Sequence, residues 1–285
     1  LCFFLVGVSA VSYRSHRKLC ENWVMTQHPD ASGAQGMFYT FKNYGTGTLI
    51  VVDSGNKGNA EYAKSVITEL GGHVDCWILT HFHGDHAGAF DLIYEDPGDI
   101  TIGTIYATPL DYDYFYSVAR WWDAPEVYAQ FLKMTADADN VTYLQRGDSF
   151  AVDDLTIDVF SAYDDFVHDL QQDPANNGSL IFKISGIKDS ILFFGDAYNE
   201  TLFDDIYAAY GDQMKAEYVQ APHHGNSVLP MDKYTLLEPE VIFLDGPEWL
   251  MISEDHKAKD LLVWCQENGV TSYDYRTAPN VFNFK

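Results

Sequence analysis

Thr80-His81-Phe82-His83-Gly84-Asp85-His86 places three imidazoles and a carboxylate within six residues. The apolar run 74–80 (VDCWILT) leads into it and reads as a buried strand. In an extended stretch His81 and His83, two apart, point the same way. Asp85 and His86 lie beyond the Gly84 turn and can face a second ion. Neutral imidazole and carboxylate are the usual ligands of zinc and related divalent metals. One histidine is more often structural than not, but three at this spacing, delivered by a strand, read as a metal site.

Two later stretches complete the pattern. Ile191-Leu192-Phe193-Phe194-Gly195-Asp196-Ala197 is an apolar strand that delivers Asp196 at its end, where an Asp would also suit a helix N-cap. Tyr218-Val219-Gln220-Ala221-Pro222-His223-His224-Gly225-Asn226-Ser227 is a short strand ending in a histidine pair at a glycine turn. Around these, strands are expected at 37–42, 48–52, 100–107, 141–145, 149–152, 155–161, 179–185, 190–195, 216–221 and 240–245. Helical spacing falls at 59–70, 87–95, 112–137, 197–210 and 255–268. Strand runs with helices between them, and hairpins in both halves, predict an α/β domain with sheets inside and helices outside.

The chain has 285 residues, 17 Lys+Arg against 42 Asp+Glu, a formal charge of −25 and 47% hydrophobic residues. This is ample material for a core and excludes a disordered or low-complexity chain. A surface this acidic argues against non-specific binding of long nucleic acid. A small phosphoester is not excluded, because metal ions can meet its charge locally. Residues 1–12 (LCFFLVGVSAVS) are apolar, too short to span a bilayer, and precede the basic Arg14, His16, Arg17 and Lys18. Residues 1–20 therefore read as the remnant of a truncated signal peptide or membrane anchor, ahead of one folded domain over 21–285, with a secreted or cell-surface location. Cys2, Cys20, Cys76 and Cys265 form neither a zinc pattern nor a disulfide framework.

HFHGDH, then FFGDA about 110 residues on and PHHGNS about 28 residues later, resembles the metallo-β-lactamase superfamily. The pattern is most similar to the hydrolase domain of competence-type (ComEC-like) DNA-uptake proteins and to small secreted relatives such as phosphorylcholine esterases. Val51-Val52-Asp53-Ser54-Gly55, Leu144-Gln145-Arg146-Gly147-Asp148-Ser149-Phe150 and Asn176-Asn177-Gly178-Ser179-Leu180 extend the likeness over about residues 37–285. The resemblance implies an αββα sandwich, two mixed sheets flanked by helices, with metals at one edge. It implies that His81 and His83 bind the first of two divalent ions (zinc, or manganese), that Asp85 and His86 bind the second, and that Asp196 bridges them. Asp53 would orient the ligands from behind. Spacing leaves both His223 and His224 open as the last ligand; we take His224, with His223 turned toward the substrate. Many members carry a further histidine about 20 residues before the bridging Asp; here that zone reads Pro174-Ala175-Asn176-Asn177. The first ion then has one protein ligand fewer, or Asn177 stands near it. His168, the nearest histidine, reads as a surface loop residue, and His256, before the last helix, as structural.

A hydroxide shared by two such ions would be the nucleophile at neutral pH, and a phosphoryl or carbonyl oxygen would be polarised beside it. His223 or Asn177 would hydrogen-bond the developing charge or protonate the leaving group, and Asp85 would sit at the reacting centre as a ligand. Residues 111–122 (DYDYFYSVARWW), with Tyr128 and Phe131, form the densest aromatic cluster. It reads either as helix packing or as a substrate wall whose acidic neighbours Asp111, Asp113 and Asp123 favour a cationic headgroup. The expected activity is hydrolysis of small phosphoesters. The alternatives are a competence-type extracellular nuclease and a non-catalytic metal-binding module on the same fold.

Overall fold

Alternation along the strands sorts their side chains into two apolar layers. Ile50, Val52, Cys76 and Ile78 belong to one layer, with Phe182, Ile191 and Phe193. Their immediate neighbours Leu49, Val51, Trp77, Leu79 and Leu192 belong to the other. A strand buried on both faces needs a partner on each side. The computed structural model, which describes residues 22–274 and 278–285, supplies both. Two sheets pack face to face, and helices cover their outer faces. The signal or anchor remnant expected at 1–20 lies outside the described residues.

The first sheet contains β1 (Trp23–Gln27), β2 (Phe38–Asn43), β3 (Leu49–Asp53), β4 (His73–Leu79), β5 (Thr101–Ala107) and β6 (Val141–Tyr143). The second contains β7 (Ser149–Val152), β8 (Leu155–Ser161), β9 (Ile181–Ser185), β10 (Ser190–Phe193), β11 (Tyr218–Gln220), β12 (Val241–Leu244) and β13 (Thr271–Asp274). The last strand, β14 (Asn280–Phe284), returns to the first sheet, giving the orders β14-β1-β2-β3-β4-β5-β6 and β13-β12-β11-β10-β9-β8-β7. Each sheet is mixed in the same way. Pairing is antiparallel from β14 to β3 and from β7 to β10, then parallel from β3 to β6 and from β10 to β13. Helices α1 (Ala60–Glu69), α2 (Gly84–Glu95), α3 (Tyr112–Val118), α4 (Glu126–Met134), α5 (Asp165–Leu170), α6 (Pro174–Asn177) and α7 (Glu200–Tyr210) precede three more. These are α8 (Met231–Leu237), α9 (Glu248–Ile252) and α10 (Ala258–Asn268). This is the expected αββα sandwich.

Some elements differ from the expectation. The single helix expected over 112–137 is two helices with a turn at 119–125, where Ala124 takes a left-handed φ of 45° before Pro125. Proline disfavours the helical region for the residue before it. The helix expected from 197 starts at Glu200, because Asn199 caps it by accepting from Leu202 N. That cap also removes Asp196 from the N-cap role. Strands β1, β13 and β14 were not expected.

Candidate metal centre

The parallel strands of both sheets deliver their polar residues at one edge. Asp53 ends β3, His81 and His83 follow β4, Asp196 follows β10, His223 and His224 follow β11, and Asp245 follows β12. Crevices outside the carboxyl ends of parallel strands are the usual ligand sites of α/β sheets. His81, His83 and Asp196 bring one ligand atom each to within 4.8 Å of one another, and Asp85, His86 and His224 do the same. Asp196 stands between the groups. Its Oδ1 is 3.0 Å from His86 Nε2, and its Oδ2 is 3.5 Å from His224 Nε2 and 3.7 Å from His81 Nε2. His224 Nε2 is 3.3 Å from Asp85 Oδ2 and 3.0 Å from His86 Nε2.

Local backbone geometry creates this convergence. His83 is still extended (φ −77°, ψ 157°) and α2 begins at Gly84, so Asp85 and His86 turn back in the first helical turn. Gly195 has φ +53°, and a Cβ there would lie 3.0 Å from Ser179 and Thr80, so glycine lets the Asp196 loop close onto the HFHGDH strand. His223 and His224 both take left-handed conformations, φ 51° and 58°. Such conformations cost about 1–3 kcal/mol each and persist where the surroundings enforce them. Here His223 N donates to Gly195 O (3.0 Å), and Asn226 N donates to His223 O (2.7 Å).

A buried hydrogen-bond layer stands behind the ligands. Asp53 accepts from Thr80 N (2.8 Å) and Thr80 Oγ1 (2.6 Å) and lies 2.7 Å from His86 Nδ1, which leaves Nε2 of His86 facing the centre. Asp245 accepts from Gln27 (2.7 Å), Tyr39 (2.7 Å) and Gln220 (3.1 Å), and Gln220 Oε1 accepts from Phe194 N, so both sheets are tied beneath the site. Gln35 Nε2 donates to Asp85 Oδ2 at 2.8 Å. Gln35 and Asp245 lie outside every sequence motif, and Gln220, inside the stretch that ends in the histidine pair, carries no signal of this role.

Burial alone would raise the Asp196 carboxyl, yet His86, His224, His223 and His81 hold it well below the usual carboxylate range. Burial likewise opposes ionisation of Asp85, and His224 and His86 overcome it. His224, which burial would lower, is pushed up to about 10 by Asp196 and Asp85. The buried carboxylates thus favour added positive charge. His81 Nε2 and both oxygens of Asp196 are buried without a hydrogen-bond partner among the described residues. Imidazole nitrogens and carboxylate oxygens left unpaired in a cation-favouring field fit divalent metal ions.

The structure corrects several placements. Asn177 does not face the centre. Its Oδ1 accepts from Tyr198 N (3.2 Å) and Asn199 N (3.0 Å), and its Nδ2 donates to Gln172 O (2.9 Å), so its amide is used to hold backbone. His168 is on α5 rather than a loop, 2.8 Å from Tyr163 Oη and against the Tyr114 ring. Between the two histidines left open, His224 is buried in the ligand group, while His223 faces the adjoining cleft and stacks on Tyr198 at 5.5 Å. The cleft, of about 550 Å³, is also lined by Arg120, Trp121, Trp122, Asp173, Trp249 and His256. His256, read as structural, therefore meets the cleft.

The aromatic cluster divides. Phe115, Tyr128 and Phe131 are core, and Phe82 stacks on Tyr128 at 4.0 Å. Trp121 and Trp122, 90% and 50% exposed, stand at the cleft. Of the acidic neighbours, Asp111 caps α3, and Asp123 is buried against His83 rather than facing a headgroup.

Residues 38–244 match the sequence profile of the Metallo-beta-lactamase superfamily. The chain belongs to that superfamily, and its fold and His/Asp groups are those of a metal-dependent hydrolase. It is similar to the "Beta-lactamase-like protein 2 homolog" of Caenorhabditis elegans, 37% identical over 73 residues. That stretch spans 24% of this chain and 25% of the relative. Among solved structures, the metallo-beta-lactamase fold protein YhfI of Bacillus subtilis superposes with TM-score 0.55 at 12% identity, covering 91% of this chain and 99% of that one. Igni18, a metallo hydrolase of Ignicoccus hospitalis, gives 0.55 at 13%, covering 92% and 100%. CmlA, a diiron beta-hydroxylase of Streptomyces venezuelae, gives 0.54 at 16%, covering 92% and 54%.

Proposed function

We propose that this chain is a two-metal hydrolase of small phosphoesters, of phosphodiester or phosphorylcholine type, acting outside the cytoplasm. The observation that carries the reading is Asp196, which lies between two ligand groups: its Oδ2 is 3.7 Å from His81 of one and 3.5 Å from His224 of the other, and its Oδ1 is 3.0 Å from His86. His81, His83 and Asp196 would hold one ion, and Asp85, His86 and His224 the other. Two divalent ions, zinc or manganese, supply Lewis acidity and lower the pKa of water from about 15.7 to about 7, which suits in-line displacement at phosphorus.

The chain's own residues do the rest. Asp53 fixes the tautomer of His86. His223, beside Asp196 at 3.8 Å and open to the cleft, is placed to hydrogen-bond the developing charge or give a proton to the leaving group. The Arg120 guanidinium sits over Trp122, 5.4 Å from the ring centre, so Trp121 and Trp249 are the faces left for a cationic headgroup. Export, through a signal or anchor in residues 1–20, is part of the same reading; no helix among the described residues is long and apolar enough to cross a membrane. A competence-type nuclease is the second reading. Exposed Trp121 next to Arg120 could stack a base and meet a phosphate, while the charge of −25 weighs against a long polyanion. A metal-binding module without turnover is the third.

The test is metal analysis of the purified protein, then assays with bis-p-nitrophenyl phosphate, p-nitrophenyl phosphorylcholine, plasmid DNA with Mn²⁺ or Zn²⁺, and nitrocefin. Turnover of the first two is expected. His83→Ala and Asp196→Ala should lose metal and at least 100-fold in activity while remaining folded. Full metal content with undiminished turnover in both variants would sink the assignment.

A further inference from the structure

We infer that Asp123 is a positioning residue for the first metal site: it receives the Nε2–H of His83 and leaves Nδ1 of that ring for the ion. The inference rests on the reading of His83 as a ligand. Asp123 Oδ1 lies 3.4 Å from His83 Nε2. Both residues are buried, Asp123 at 5% and His83 at 6% exposure. Both atoms are buried and have no hydrogen-bond partner elsewhere among the described residues. Asp123 is not among the ligand atoms that converge within 4.8 Å; it reaches the ring of His83 from outside that group.

The arrangement repeats the one at the other site. There, Asp53 at the end of β3 stands 2.7 Å from His86 Nδ1 and leaves Nε2 inward. A carboxylate behind a ligating imidazole sets its tautomer and orientation and increases its basicity. The first site has more need of such support, because the zone before Asp196 carries no histidine and Asn177 is committed to backbone. Asp123 also reaches further than Asp53. Its Oδ2 accepts from Arg120 N at 2.5 Å, and its own N donates to Arg120 O at 3.1 Å. The turn carrying Arg120, Trp121 and Trp122 is thus folded around the carboxylate that faces His83. One side chain joins the wall of the cleft to a ligand of the site.

The test is competition for Zn²⁺ between a chromophoric chelator and metal-free protein, with visible absorption of the Co²⁺-loaded protein as a second readout. The wild type should bind two ions. Asp123→Ala should weaken one of them 10- to 100-fold, leave the other unchanged, and alter the Co²⁺ bands. Asp123→Asn keeps the shape without the charge and should lose about tenfold at the same site; it carries the test if the alanine variant does not fold. Absence of binding in the wild type overturns the metal reading itself. Two ions bound with wild-type affinities and an unchanged Co²⁺ spectrum in the folded variants overturn the role of Asp123 and leave the metal reading intact.

Discussion

Asp91 carries a cost that the metal centre does not explain. It lies on α2 five residues after His86, is buried, and neither carboxylate oxygen has a hydrogen-bond partner among the described residues. Burial raises its pKa from the ordinary 3.8 to about 7, with Lys57 partly offsetting the effect. The folded-state pKa is above the unfolded one. The folded state therefore holds the proton longer, and stability falls as pH rises from about 4 through about 7. Asp91→Asn should raise stability by about 2 kcal/mol at pH 8 and have little effect at pH 4, read from urea unfolding at the two pH values. An equal effect at both would exclude ionisation as the cause. At this scale the sequence was most legible where chemistry demands local spacing: the HFHGDH run, Asp196 and the histidine pair. Asp123 was not legible, because its partner is 40 positions away and an acid within an aromatic run reads as solvent-facing. Asn177 does not take the place of the absent histidine, because its amide is spent on the backbone of Tyr198, Asn199 and Gln172, contacts that no local spacing reports.

Secondary structure was legible where periodicity was sustained. The doubly buried strands β3, β4, β9 and β10 and the amphipathic α1 and α7 stood out, and their two-sided burial implied two layers. The short strands β1, β13 and β14, the last two at sheet edges, did not. They lack a continuous apolar run: β1 is fully buried only at alternate positions, β13 at none, and β14 buries only Phe284 fully while Val281 and Asn283 are exposed. Its pairing with Trp23–Gln27 joins residues about 250 apart, which no local signal reports. Yet Phe284 is fully buried, with its ring 5.3 Å from Phe41 in the core between the sheets. Phe284→Ala should cost about 3–5 kcal/mol, measured by chemical denaturation. A loss below about 1 kcal/mol would mean that β14 is docked only loosely.

The whole molecule combines a cation-seeking edge with an acidic exterior. A charge of −25 on 285 residues destabilises the compact state by self-repulsion, and salt screens it. Raising NaCl from about 20 to about 300 mM shortens the Debye length from roughly 20 Å to below 10 Å. It should raise the melting temperature of the metal-free protein by several degrees in a calorimetric scan. A flat or falling trend would show that local ion pairs such as Arg146–Asp205 outweigh the net charge. The return of β14 to the first sheet also bears on the order in which the protein is made. The ribosome releases β1 more than 250 residues before its outer neighbour exists. Until then β1 presents a free edge next to a nearly complete sheet, and unpaired edges are where nascent chains join one another. Chains truncated shortly before Asn280 should therefore aggregate where the full chain stays monodisperse, read by light scattering.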